Sequence, residues 1–237
     1  MSEASGRAHA KAKQLTPEQI RRVRVLGLAG SPFRVALALT VLSLAGGLPW
    51  KLYLTAHGLV LAGLVLAKDL AEYAARVPTL SGRIRERDAF LVWIGVQAPL
   101  LVAVADRTYL PEILPRGVPL LAAGAAVGLA GVLFRAWSVR TLGVFFTLAV
   151  RVHEGHRVIQ RGPYRWLRHP AYSGSLLYLL GVSLALSSAA GLAATLLVAL
   201  PAVLYRVRRE ELTLRRHLGD EYREYMKRTR RLVPGLY

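Results

Sequence analysis

Between Arg151 and Tyr172 the chain reads RVHEGHRVIQRGPYRWLRHPAY. These 22 residues hold five arginines, three histidines and two tyrosines around a Gly162-Pro163 turn. They lie between apolar runs that approach membrane-spanning length. Each charge in such a place needs water, a lipid headgroup or a partner. A polar insert this dense in an apolar chain points to a site for a charged ligand at a membrane surface.

A second polar cluster, Tyr205-Arg206-Val207-Arg208-Arg209-Glu210-Glu211, follows the last apolar run. Arg206 and Glu210 are spaced i, i+4 and share one helix face. Leu214, Leu218, Tyr222 and Tyr225 continue an apolar stripe on a C-terminal helix, interrupted weakly at Gly219-Asp220. A basic amphipathic helix resting on headgroups accounts for most of those charges. It does not account for two adjacent carboxylates directly below an apolar run, although an Arg206–Glu210 pair could also serve only to hold the helix.

The elements that must position these clusters are apolar helices. Spans are expected at about 33–50, 52–75, 89–105, 118–137, 172–187 and 190–206, the last two joined in a hairpin through Ser187-Ser188-Ala189-Ala190. Thr16-Pro17-Glu18-Gln19 predicts the start of a short basic helix on the membrane surface. Gly162-Pro163 predicts a turn, and His169-Pro170 biases His169 away from helix. Gly124-x-x-x-Gly128 suits close helix packing. Of the 32 lysines and arginines, 28 fall on the side holding the N-terminus. Lys51, Arg107 and Arg116 fall on the other side, and Lys68 lies inside a span. By the positive-inside rule both termini and both clusters are then cytoplasmic, and the span count is even.

Composition agrees. The chain has 237 residues, is 54% hydrophobic, and has a mean hydropathy of +0.36, too apolar for an ordinary soluble domain. Its net charge of +18 flanks the apolar runs, which favours membrane topology over nucleic-acid binding. With no cysteine, disulfides, thiolate metal sites and cysteine nucleophiles are excluded. His153-x-x-His156 is the one close histidine pair, and it does not make a metal site. The polar N-terminal stretch has no apolar h-region, so no cleavable signal peptide is expected.

The ordered set is Gly155-His156, Gly162-x-Tyr164-x-x-x-Arg168-His169-Pro170-x-Tyr172, a hydrophobic hairpin, Arg206-x-x-x-Glu210-Glu211-x-x-Leu214, Gly219-x-x-Tyr222-x-x-Tyr225 and Pro234. It closely resembles the isoprenylcysteine carboxyl methyltransferase family and its relatives, the phospholipid methyltransferases. The resemblance covers about the last 100 residues, and the N-terminal spans carry no signature.

The resemblance implies an all-α, polytopic membrane bundle of about six transmembrane helices, with a cytoplasmic cofactor-binding insert and a C-terminal amphipathic helix. It divides the chain into a basic N-terminal segment (1–32), N-terminal transmembrane helices (33–137) and a catalytic region (138–237). It implies an S-adenosylmethionine-dependent methyltransferase with a lipidic or prenylated substrate entering from the bilayer; the Arg- and Ala-rich composition is compatible with a high-GC bacterium, so a bacterial inner membrane is the expected location. His156, Gly162, Tyr164, Arg168, His169, Tyr172, Glu211 and Tyr222 are the expected cofactor residues. Arginine and histidine suit the cofactor's carboxylate, while aromatic faces and glutamates suit its sulfonium. Arg206 and Glu210 are the expected catalytic pair. A carboxylate acceptor would need only orientation by Arg206, whereas a phenol or amine would need a base.

Two other readings stay open at this point. One is a NADPH-dependent sterol or isoprenoid reductase with a similar hairpin, whose 2′-phosphate would also suit these arginines. The other is a non-enzymatic membrane protein, although spans three to six are nearly free of the mid-membrane charge a transporter would place there.

Overall fold

A computed structural model describes residues 56–74, 87–143, 146 and 158–235. Among them the elements are α1 (Ala56–Ala74), α2 (Arg87–Tyr109), α3 (Val118–Leu142), a 3-10 turn (Gly162–Arg165), α4 (Pro170–Ala185), α5 (Ala189–Ala194), a π turn (Thr195–Ala199) and α6 (Leu200–Arg228). No strand occurs among the described residues, and a single isolated bridge joins Leu167 to Arg230. The expected span 33–50 and the basic helix near Thr16 lie outside the described residues.

Prolines set the starts. Pro119 stands in the first turn of α3 and Pro170 opens α4, positions where a missing N–H costs nothing. The helix expected at 172–187 therefore begins two residues earlier, at Pro170. It ends where Ser187, at φ 52, and Ser188 turn the chain. The Ser188 hydroxyl caps α5 by accepting from the Gly191 amide at 2.8 Å. It also donates to Asp106 Oδ2 at 2.6 Å, and the same oxygen accepts from the Ala190 amide at 2.9 Å. This fastens the α4–α5 turn to the end of α2.

The expected last span at 190–206 is not a separate element. Helix runs from Ala189 to a kink at Gly219 and resumes to Arg228, so the stretch before the kink carries both the apolar hairpin arm and the polar cluster beyond it. The π turn lies just before Pro201, whose ring would clash with the carbonyl one α-turn earlier. Gly219 alone leaves helical geometry, at φ 55 and ψ −127.

Helices α3 and 189–228 are long and apolar enough to cross a membrane; α4 is apolar but has 16 residues. Leu133, Leu196 and Leu197 point outward and are exposed, as on a lipid-facing surface. Inside, Leu64, Ala103, Val132, Leu179, Val182 and Leu186 form the core. Helices α3 and α4 approach so closely that a Cβ on Gly124 would fall 2.1 Å from the Ala185 nitrogen. One on Gly181 would fall 2.1 Å from the Gly128 nitrogen. The Gly124-x-x-x-Gly128 pattern is thus the seam of this pair.

Candidate active site

The polar insert and the chain end meet at the start of α4. Gly162 adopts φ 56, a left-handed conformation that favours glycine, and a Cβ there would meet Thr141 Oγ1 at 2.9 Å. This seats the 3-10 turn on the end of α3 and buries Tyr164. After α6 the chain returns alongside the insert. The Arg230 amide donates to the Trp166 carbonyl at 3.0 Å. The amides of Arg168 and His169 donate to the carbonyls of Arg230 and Arg231 at 2.7 and 3.1 Å. Ser173 Oγ adds a bond to the Leu232 carbonyl at 2.6 Å. Residues 230–232 thus form a strap across the insert. The Tyr225 hydroxyl pins the insert from below, donating to the Tyr164 and Leu167 carbonyls at 2.7 and 3.2 Å.

Glu210 and Glu211 lie within this frame. Adjacent residues on a helix point about 100° apart, so two different partner sets surround them. Glu210 Oε1 accepts from the Tyr172 hydroxyl at 2.6 Å and from Arg206 Nε at 2.9 Å. Glu211 Oε1 accepts from Arg168 Nε at 2.7 Å, and its Oε2 from Arg231 Nε at 3.1 Å. The His169 ring bridges the pair, with Nδ1 3.4 Å from Glu210 Oε2 and Nε2 3.6 Å from Glu211 Oε1. Burial by itself would lower the pKa of His169. Hydrogen bonding and charge from Glu210 and Glu211 outweigh burial and hold the imidazole above its ordinary value. A protonated ring presents a donor to each carboxylate.

Arg206 and Glu211 are almost fully buried, with 2% and 1% of their surface exposed. Buried charges persist only when paired and hydrogen-bonded. Here four arginine or histidine cations face two carboxylates, leaving the cluster electropositive. Arg168 is further committed by bonds from Nη1 to the carbonyls of Met226 and Thr229, so it ties α6 to the strap.

Of the expected site residues, the structure gathers Arg168, His169, Tyr172, Arg206, Glu210 and Glu211 into this network. Tyr164 and Tyr222 are buried beside it, Tyr222 with its ring centroid 5.8 Å from that of Tyr225. Burial first, then neighbouring Tyr225 and Glu210, raise the Tyr164 phenol above its ordinary range, so it stays neutral. Gly162 shapes the turn. His156 lies outside the described residues. Arg231 and Thr229 were not expected. Arg231 sits in the run Arg228-x-Arg230-Arg231, where nothing distinguishes it from a topology-setting arginine. Among the described residues no group of His, Asp and Glu could hold a metal.

Among the described residues, a helical frame with two helices long and apolar enough to cross a membrane carries a buried carboxylate–imidazole–guanidinium network at one end. Residues 120–221 match the family model for phospholipid methyltransferase. The "Probable protein-S-isoprenylcysteine O-methyltransferase" of Oryza sativa subsp. indica is 34% identical over 113 residues, covering 47% of this chain and 59% of the relative. "Protein-S-isoprenylcysteine O-methyltransferase B" of Arabidopsis thaliana is 30% identical over 113 residues, covering 47% of this chain and 57% of the relative. The chain thus spans less than two thirds of the length of these curated relatives. A solved eukaryotic intramembrane Ras methyltransferase, isoprenylcysteine carboxyl methyltransferase, aligns at 15% identity and TM-score 0.49, covering 94% of this chain and 99% of its own. The stretch that carries the site is thus similar to phospholipid methyltransferases and to protein-S-isoprenylcysteine O-methyltransferases.

Proposed function

We propose that this chain is an integral membrane methyltransferase that transfers a methyl group from S-adenosylmethionine to a lipidic acceptor. The observation that carries the proposal is the Glu210–Glu211 pair, bridged by His169 and flanked by Arg168 and Arg206, at the end of an apolar frame in a methyltransferase family match.

The residues fit the cofactor's groups. The surplus of cations suits its carboxylate, and His169 Nε2, buried 3.6 Å from Glu211 Oε1, is a donor at the heart of the cluster. Buried neutral tyrosines and two carboxylates suit a sulfonium. S-Adenosylmethionine, when bound, supplies the electrophilic methyl group. Gly162, Tyr164, Arg168, His169, Tyr172, Glu211 and Tyr222, with His156, would hold it. Arg168 and Glu211 would act mainly by fixing the strap and α6 in register around it.

Arg206 and Glu210 would act on the acceptor. They stand where the apolar stretch that begins at Ala189 gives way to the polar part of α6. A carboxylate acceptor is ionised at neutral pH, so Arg206 would orient it and Glu210 would hold Arg206 in place. A phenol or amine would need a proton acceptor, and Glu210 would then take that proton directly. A prenylcysteine carboxylate or another lipophilic acid therefore demands least of these residues. The acceptor would reach the site laterally from the bilayer, with the site on the cytoplasmic face of a bacterial inner membrane.

The test is calorimetric binding of S-adenosylmethionine and S-adenosylhomocysteine to the detergent-purified protein, with NADPH as control. Micromolar S-adenosylhomocysteine binding without NADPH binding is expected. NADPH binding alone would replace the proposal with a reductase.

A further inference from the structure

The opposite end of the bundle carries a polar feature that the transferase reading does not use. Helix α3 has 25 residues and so separates its two ends by about 37 Å. Its C-terminal end meets Gly162 at the active site, and its N-terminal end follows the linker after α2. Only three of 32 basic residues were assigned to this side, and two of them, Arg107 and Arg116, converge here. His57, in the first turn of α1, is within electrostatic reach of both. Three cationic or protonatable groups therefore crowd one corner of a face that is otherwise poor in basic residues.

Among the described residues this crowding lacks an internal counter-charge of matching size. Glu112 engages Arg116, with Nε 3.5 Å from Oε2 and the Arg116 amide donating to Oε1 at 2.9 Å. Asp106 spends one oxygen on Ser188 and the Ala190 amide. Arg107 Nε and His57 Nε2 are buried and have no hydrogen-bond partner among the described residues. Buried unsatisfied polar groups are costly, and an unsatisfied guanidinium donor beside an imidazole that can also donate points to an acceptor supplied from outside. Beside Arg116 lies a groove of about 390 Å³ lined by Pro115, Gly117, Pro119, Leu120 and Ala123. Ser187 Oγ holds the linker in place through the Pro115 carbonyl at 3.1 Å. Leu110, Ile113 and Val118 around it are exposed, as expected at the level of lipid chains.

We propose that His57, Arg107 and Arg116 bind the phosphate of an anionic phospholipid in the leaflet opposite the active site, with an acyl chain along the Pro115–Ala123 groove. Arginine suits this role because its planar fork pairs with two phosphate oxygens. The apolar groove distinguishes a lipid headgroup from free phosphate, since free phosphate would leave the groove empty.

Thermal unfolding of the full chain in neutral detergent tests this, with added phosphatidylglycerol, phosphatidylcholine or inorganic phosphate. Phosphatidylglycerol is expected to raise the midpoint about 4 °C above phosphatidylcholine. Arg107→Gln/Arg116→Gln is expected to lose most of that difference. Arg116→Gln alone, on an exposed linker where it leaves no buried charge, is expected to lose about half and guards against misfolding of the double variant. A rise with inorganic phosphate alone that these variants abolish would support the phosphate site but overturn the lipid as its occupant. No phosphatidylglycerol effect, or an effect undiminished in Arg116→Gln, would overturn the site itself.

Discussion

The Tyr172 hydroxyl donates to Glu210 Oε1 at 2.6 Å, joining the first turn of α4 to the point where α6 turns polar, 38 residues later. The same oxygen accepts from Arg206 at 2.9 Å. The pair of helices is therefore locked at the spot where, under the proposed function, acceptor and methyl donor would meet.

Removing the ends of this lock should separate chemistry from binding. Arg206→Ala and Glu210→Gln are expected to lower methyl transfer by about 100-fold or more, because orientation and charge complementarity supply terms of that size. S-Adenosylhomocysteine affinity should change by less than about threefold. A parallel loss of affinity would move both residues into the cofactor-holding group.

Arg168→Ala should behave differently. It leaves Glu211 buried beside fewer cations and frees the strap from α6. Breaking one side of a buried pair costs about 3–5 kcal/mol. A large drop in unfolding midpoint is expected together with weakened S-adenosylhomocysteine binding. In a double-mutant cycle with Glu211→Gln the two losses should be far from additive. Additive losses would mean that the 2.7 Å contact contributes little.

The pH dependence of stability should carry the signature of His169. Its pKa is raised in the folded chain by Glu210 and Glu211 against the opposing effect of burial. The contribution is therefore fully present below its unfolded value, about 6.5, and is lost as pH rises through the higher folded value. Wild-type protein should lose stability as pH rises above about 6.5 and through the raised folded value, and His169→Asn should flatten that slope. An unchanged slope in the variant would assign the loss to another group.

Gly162→Ala probes the turn. The new Cβ would meet Thr141 Oγ1 at 2.9 Å while holding φ 56, so a cost of about 1–2 kcal/mol is expected. Gly181→Ala should be worse. Its Cβ would sit 2.1 Å from the Gly128 backbone nitrogen, which cannot yield without parting α3 from α4. Unfolding midpoints in detergent measure both. A tolerated Gly181→Ala would mean that the seam opens readily.

Much of the frame was legible in the chain itself. Apolar runs, prolines at helix starts, the Ser187-Ser188 turn and the Gly124-x-x-x-Gly128 seam each act through local sterics, solvation or hydrogen bonding within a few residues. The site residues were legible as types, since Arg168, His169 and the Glu210-Glu211 pair stand out against apolar surroundings. Their partners were not. The bond from Arg168 to Glu211 spans 43 residues and depends on how α4 and α6 dock. The choice of Arg231 over Arg208 or Arg209 as Glu211's second partner arises only because the chain folds back as a strap after Arg228. The continuity of helix from 189 through Arg206 to the kink at Gly219 was also hidden, because hydropathy changes sign at Arg206 while helical hydrogen bonding does not. Local residue type thus determined which elements form and which groups could do chemistry. Tertiary packing alone decided which charges pair, because a charge buried with its partner is set by the distance between elements and not by spacing along the chain.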